Sequence, residues 1–307
     1  MQKLLVIVGP TATGKTSLGI KLSKKFNGEI VSADSRQVYK YMDIGTGKEW
    51  GDAQIWGYDL VSPTENFSVS DYFNQMKWII EDIWKRKKIP IIVGGTGLYI
   101  KSLIDGIQTV DIPKNENLRK ELEKLNVEEL FEKLSILDST KSASLNMSDR
   151  KNPRRLIRAI EVATWKIENE TKNNEVARRE KVLSKEVSVL QVGLVLENKK
   201  LKERVFKRIE KRMNEGFIDE VENLLKMGVT WKMQSMNSLG YKEVEGFFKS
   251  GKTYEDFISE WQRNEIKYTK RQMTWFKKDK RINWFDIQDP KFFEKLENLV
   301  KKWYSSF

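Results

Sequence analysis

The chain contains no cysteine and no histidine. Zinc sites built on thiolate or imidazole, disulfides, and histidine-based acid–base chemistry are therefore excluded. Long apolar runs are missing as well. The longest, Leu4–Val8 and Ile89–Val93, fall far short of the ~20 residues a membrane helix needs. Met1-Gln2-Lys3 runs straight into the first of them, without the arrangement of a secretory signal. No internal repeat or low-complexity linker is present. Any catalysis falls to carboxylates, hydroxyls, Lys, Arg, backbone amides or a hard metal ion, and the expected setting is cytoplasmic.

What is present is a soluble, globular composition. In 307 residues, 39% are hydrophobic and 33% charged, enough for a substantial core in one large domain or two. The net charge of +12 is concentrated. Lys141–Lys181 holds 11 basic and six acidic residues, and Trp261–Ile282 holds eight basic and two acidic. A generic basic background would be spread evenly. Concentration in two segments favours a polyanionic partner, most simply a nucleic acid.

Gly9-Pro10-Thr11-Ala12-Thr13-Gly14-Lys15-Thr16 is a complete G-x-x-x-x-G-K-[ST] phosphate-binding loop. It follows an apolar strand pattern and opens a helical one, with Leu18, Leu22 and Phe26 four residues apart. That context aims backbone N–H groups and a helix N-terminus at an anion. The glycines permit the tight path, Lys15 supplies a point charge, and the Thr16 hydroxyl can hold magnesium. The loop fits a phosphate, a diphosphate or a nucleotide such as ATP.

Strand and helix patterns alternate through the first hundred residues: strands at Leu4–Val8, Glu29–Ala33 and Ile89–Val93, helices at Lys15–Phe26 and Ser70–Lys87. Such alternation predicts an α/β fold, a parallel sheet of the P-loop NTPase kind flanked by helices. From about Pro113 to Lys185 strand patterns vanish, and Val187–Leu196 then resumes them. The economical arrangement is a core of residues 1–112 and 186–307 with a helical insertion at 113–185. The C-terminal region reads as helical, at Lys199–Met227 and about Tyr254–Lys278, in a monomeric protein.

Ligands of parallel sheets collect at the carboxyl ends of the strands. Asp34, after the second strand, should therefore lie beside the phosphate loop, where it can bind magnesium, accept a proton or cap a helix. Asp43-Ile44-Gly45-Thr46-Gly47-Lys48 is a Gly-rich turn suited to another anion contact. After the third strand, Gly94-Gly95-Thr96-Gly97 stands where an ATP hydrolase would usually place a magnesium-ligating Asp. Glycines there suggest close approach of a substrate to the backbone. In the last long helix Ile266, Thr269, Met273 and Phe276 gather on one side. Lys267, Lys270, Arg271, Thr274 and Lys278 gather opposite, a solvated face or one that suits RNA phosphates, with Gln272 and Trp275 near bases.

Taken in order, these motifs resemble the bacterial tRNA dimethylallyltransferases (isopentenyl-tRNA transferases) over nearly the whole chain. The resemblance rests on Gly9–Thr16, Asp34–Tyr39, Met42–Lys48, Phe67–Asp71, Val93–Tyr99, Arg155–Glu161, Leu239–Glu243 and Lys270–Phe276. It implies transfer of a dimethylallyl group from dimethylallyl diphosphate to N6 of the adenosine just 3′ of a tRNA anticodon. Lys15, the loop amides and magnesium on Thr16 would then stabilise the leaving diphosphate, with Asp34 as general base and Thr96 close to the reacting centre. Asp34, Ser35, Arg36 and Gln37 would surround the adenine. Arg119, Arg155, Arg158, Gly240, Tyr241, Lys270, Arg271, Gln272, Thr274 and Trp275 would contact the anticodon stem-loop. Asn152 stands where the family commonly has Asp. A small-molecule or nucleotide kinase shares the phosphate loop and sheet but not the motif order; a non-catalytic RNA-binding module leaves Lys15, Thr16 and Asp34 without a purpose.

Overall fold

The computed structural model describes residues 1–50, 53–107, 109–110, 112–169 and 187–306. The part of the basic Lys141–Lys181 segment beyond residue 169 lies outside them. Six strands form one parallel sheet: β1 (Gln2–Val8), β2 (Gly28–Ser32), β3 (Ile55–Trp56), β4 (Ile89–Val93), β5 (Val187–Val195) and β6 (Ile282–Asp286), in the order β3-β2-β4-β1-β5-β6. β1 and β4 are buried on both faces, as continuous Leu/Ile/Val runs require. One face carries Leu5, Ile7, Ile91, Val93 and Val192, packed against Leu18 and Leu22 of α1 (Lys15–Lys25) and Leu296 and Val300 of α13 (Phe292–Ser305). On the alternate positions Leu4, Val6 and Val8 are equally buried. There α2 (Val69–Lys85) packs on β2 and β4 and against α3 (Gly97–Ile104).

Two strands escaped the sequence pattern. β3 has two residues, and β6 lies in a region that reads as helical; both are edge strands defined by pairing with β2 and β5. The helical stretch expected over Lys199–Met227 holds two helices, α9 (Asn198–Asn214) and α10 (Phe217–Lys226). Gly216 separates them in the left-handed region at φ 94°, a conformation the helix interior cannot use. α11 (Tyr241–Lys249) and α12 (Tyr254–Phe276) follow.

The chain divides into two compact units, Met1–Asp105 with Val182–Phe307, and Gly106–Lys181. In the second, α4 (Glu116–Leu122), α5 (Val127–Leu137), α6 (Ser139–Ser144), α7 (Met147–Arg150) and α8 (Pro153–Glu168) enclose Leu122, Leu130, Leu134, Leu156 and Ile160. Asn152 caps α8, accepting from the Arg155 N–H with Pro153 at the first helical position. An Asp there would make the same cap. No helix among the described residues is long and apolar enough to cross a membrane.

Candidate active site

Strand register assembles the site. Ser32 of β2 and Ile7 of β1 both pair with Val93 of β4, so Asp34, Gly95 and Gly9 each leave the sheet two residues above one common level. The phosphate loop wraps the first turn of α1. Gly9 is indispensable to it: at φ +141° an added Cβ would sit 2.6 Å from the Leu194 carbonyl oxygen of β5. Thr13 Oγ1 and Lys15 Nζ both donate to the Pro10 carbonyl, at 2.8 and 2.7 Å. Thr11, Ala12, Gly14, Lys15 and Thr16 line a cavity of about 570 Å³ together with Asp34 and Gln37.

Burial and the neighbouring Arg208 guanidinium push the Lys15 ammonium down to about 7, against the opposing pull of Asp34 and Glu49. At pH 8 the amine is therefore mostly neutral. An anion in the loop would favour the charged form, so binding inorganic diphosphate at pH 8 is expected to take up protons, and the uptake should fade below about pH 6. Calorimetry in buffers of different ionisation enthalpy measures this. Buffer-independent heats would mean that Lys15 is already charged.

Asp34 Oδ1 accepts the Arg36 N–H at 2.9 Å, which fixes the carboxylate in a local turn. Thr96 Oγ1 accepts the Ser35 N–H at 3.0 Å, joining the ends of β2 and β4. Arg36 donates to the Gln234 carbonyl. Gln37 is buried, accepting from Ser32 Oγ and donating to the Gly47 carbonyl. These contacts hold the loop after β2.

Several expected contacts serve the protein itself. Lys48 is buried against the Asp43 and Asp59 carboxylates, at 2.6 Å each, and the Tyr39 carbonyl at 2.8 Å. Its turn is held by these internal contacts, while Asp43, Ile44, Gly47 and Lys48 also border the cavity. The glycines after β4 answer to packing within the chain: Cβ atoms on Gly94, Gly95 and Gly97 would strike Ala33, Gln272 and Trp275 at 2.2, 2.1 and 2.0 Å. Gln272 is buried, accepting the Thr11 N–H at 2.9 Å and donating to the Gly95 carbonyl. It is a strut between two loops, and it occupies one phosphate-loop amide. Tyr241 is fully buried, its hydroxyl donating to Glu220. The same Glu220 carboxylate receives the Asp43, Ile44 and Gly45 amides at 2.7 to 3.0 Å. Gly240 enters α11 at φ 88° with Trp261 where a Cβ would be.

The outward face of α12 remains open. Lys267, Lys270, Arg271, Thr274 and Lys278 are exposed, opposite a buried stripe of Trp261, Glu265, Thr269, Gln272 and Phe276. Trp275 is 44% exposed. In the helical unit Arg119 and Arg158 both bind the buried Glu161 carboxylate, and Arg158 also donates to the Thr109 and Ile112 carbonyls. Arg155 pairs with Asp149 and stays exposed.

Side chains outside the motifs complete the pocket. Arg208 of α9 donates to Thr11 Oγ1 and lines the cavity with Arg204, Lys211 and Arg212. The sequence carried a trace of them in the four-residue spacing of Arg204, Arg208 and Arg212, but nothing local tied α9 to the phosphate loop. Tyr268 approaches Thr96 from α12, and burial raises its hydroxyl to about 12.

The arrangement offers a cationic cradle for a diphosphate, with a carboxylate beside it. A profile of IPP transferases matches residues 37–279, and one of isopentenyl transferases matches residues 2–55. The chain is 37% identical to a tRNA dimethylallyltransferase of Anoxybacillus flavithermus over 97% of its own length and 95% of that protein's. It is 38% identical to one of Caldanaerobacter subterraneus, covering 97% and 96%. Its fold superposes on a tRNA isopentenylpyrophosphate transferase of Bacillus halodurans with a TM-score of 0.72 at 33% identity, over 99% and 97% of the two chains. A eukaryotic dimethylallyltransferase acting on tRNA shares the fold alone, with TM-score 0.80 at 23% identity, over 98% of this chain and 80% of that one. By sequence across its length and by the fold that carries it, the chain belongs to the IPP transferase family, that of the tRNA dimethylallyltransferases.

Proposed function

We propose that this enzyme transfers a dimethylallyl group from dimethylallyl diphosphate to N6 of the adenosine immediately 3′ of a tRNA anticodon, as a cytoplasmic monomer. One observation carries the reading: Asp34 and the cationic phosphate loop share a single cavity. The names of the relatives support the substrate pair, and membership of this family sets aside the kinase that the phosphate loop alone allows.

The chemistry needs two partners at one carbon. The N6 lone pair forms the new N–C bond while the donor C–O bond breaks, and the bonding electrons leave on diphosphate. Asp34 accepts the N6 proton, which a delocalised exocyclic amine must lose. Lys15, Arg208 and the free loop amides balance the charge that develops on the leaving oxygens. Thr16, at the start of α1, lines the cavity. A magnesium ion there would be held through the Thr16 hydroxyl. When bound, that ion neutralises leaving-group charge. The base must leave its stack to reach the cavity, at a cost of a few kcal/mol.

The direct test incubates the protein with magnesium, unmodified tRNA and radiolabelled dimethylallyl diphosphate, then identifies the labelled nucleoside. Label on N6 beside the anticodon is the expected result. Unlabelled RNA, with ATP consumed in the presence of a small acceptor, would overturn the reading. The exposed face of α12 adds a second expectation. About five phosphate contacts to the unstacked loop would weaken tRNA binding roughly 100-fold between 50 and 200 mM salt. Replacing Lys270 and Arg271 by Gln should lower the slope of log affinity against log salt by about 2, with diphosphate affinity unchanged. A salt-independent affinity would contradict an electrostatic RNA face.

A further inference from the structure

Arg204, Arg208, Lys211 and Arg212 fall on one face of α9 and line the cavity with the phosphate loop. Arg212 differs from the others in being 5% exposed, packed over the Trp261 ring with 5.9 Å to its centroid. Its Nε has no hydrogen-bond partner among the described residues. A buried guanidinium N–H left without an acceptor is costly. Its terminal nitrogen also shares space with a like charge. A Cβ on Gly47 would lie 2.6 Å from Arg212 Nη2 and 2.7 Å from Arg208 Nη2, so both heads converge on the gap that Gly47 leaves open. Burial, then the Arg208 charge, lower Arg212 to about 10. The Glu265 carboxylate and, more weakly, Asp34 oppose this lowering, and the two guanidinium groups stand side by side at the rim of the loop.

We propose that Arg212 is a second diphosphate-gripping side chain, acting beside Arg208 through the space kept free at Gly47. The inference rests on the reading that a diphosphate occupies the loop. It differs from a packing role for Arg212 on Trp261, because packing needs the stem and gripping needs the charge.

Arg212→Met separates the two. Methionine keeps much of the apolar volume and a sulfur against the indole while removing the charge. The dissociation constant of inorganic diphosphate, measured by calorimetry, is expected to rise about 10- to 100-fold, the loss of a charge-assisted contact. The melting temperature of the ligand-free protein should hold or rise, because repulsion from Arg208 is relieved. tRNA affinity should stay within about twofold, because Arg212 is buried away from the exposed face of α12. Gly47→Ala retains both charges but pushes the heads aside, and should weaken diphosphate binding by a smaller factor. Unchanged diphosphate affinity in Arg212→Met, or a lower melting temperature without an affinity change, would overturn the assignment. Lys15→Ala is the control. If it too leaves diphosphate affinity intact, the diphosphate is not in the loop and the transferase reading fails. If it abolishes binding while Arg212→Met does not, only the role of Arg212 fails.

Discussion

Asp34→Asn is expected to lower turnover by two to four orders of magnitude, the usual contribution of a general base (about 10²–10⁴-fold). Asparagine is isosteric, and its Oδ1 can still accept the Arg36 N–H that fixes the turn. The loop after β2 therefore keeps its shape while the proton acceptor disappears. tRNA affinity and diphosphate affinity should both stay near those of the unmodified protein, so the loss should fall on kcat. Single-turnover transfer with saturating tRNA reads this cleanly. Turnover near the unmodified level would mean that N6 loses its proton elsewhere, to water or to the leaving diphosphate.

Glu161→Gln should destabilise the helical unit by about 3 kcal/mol, the scale seen when one partner of a buried ion network is removed. The Glu161 side chain is 1% exposed and binds Arg119 and Arg158 at once. It also accepts the Asn115 N–H at 2.7 Å. Burial raises its carboxyl, but the hydrogen bonds from Arg119, Arg158 and the Asn115 amide outweigh it and bring the net value down to about 2. A carboxyl lowered on folding contributes stability that is complete above its unfolded value of about 4.3. That contribution is lost as pH falls from there towards 2. Hydrogen exchange along α8 should thus show lower protection in Glu161→Gln at pH 7, and in the unmodified protein the same loss on acidification. Unchanged protection in both would show that packing of Leu156 and Ile160 holds α8 without the ion network.

Arg119 and Arg158 illustrate the limit of motif reading. As charged side chains they look free to meet RNA; in the fold Glu161 holds both. Tyr241 and Gln272 carry the same lesson, since each sits in a motif and each is spent inside the protein. Their motif positions are legible, but which side of the backbone a side chain faces depends on distant elements: Glu220 for Tyr241, Thr11 and Gly95 for Gln272. Conversely Arg208 and Arg212 belong to the pocket only because α9 lies beside the phosphate loop.

The sequence by itself determined the parts whose cause is local. The apolar runs set β1, β4 and β5. Gly9 to Thr16 dictate the loop and the start of α1, and Asp34 follows a strand whose end must face that loop. The absence of cysteine and histidine left carboxylate, hydroxyl and cation chemistry. Tertiary structure decided what depends on neighbours far along the chain. Edge pairing made strands of Ile55–Trp56 and Ile282–Asp286, where no residue pattern demanded them. Chain packing requires glycine at the positions after β4, two of which, Gly94 and Gly95, also line the cavity. Which cations are committed to carboxylates and which are left for an anion was also settled there, because a charge's partner is chosen by distance in space.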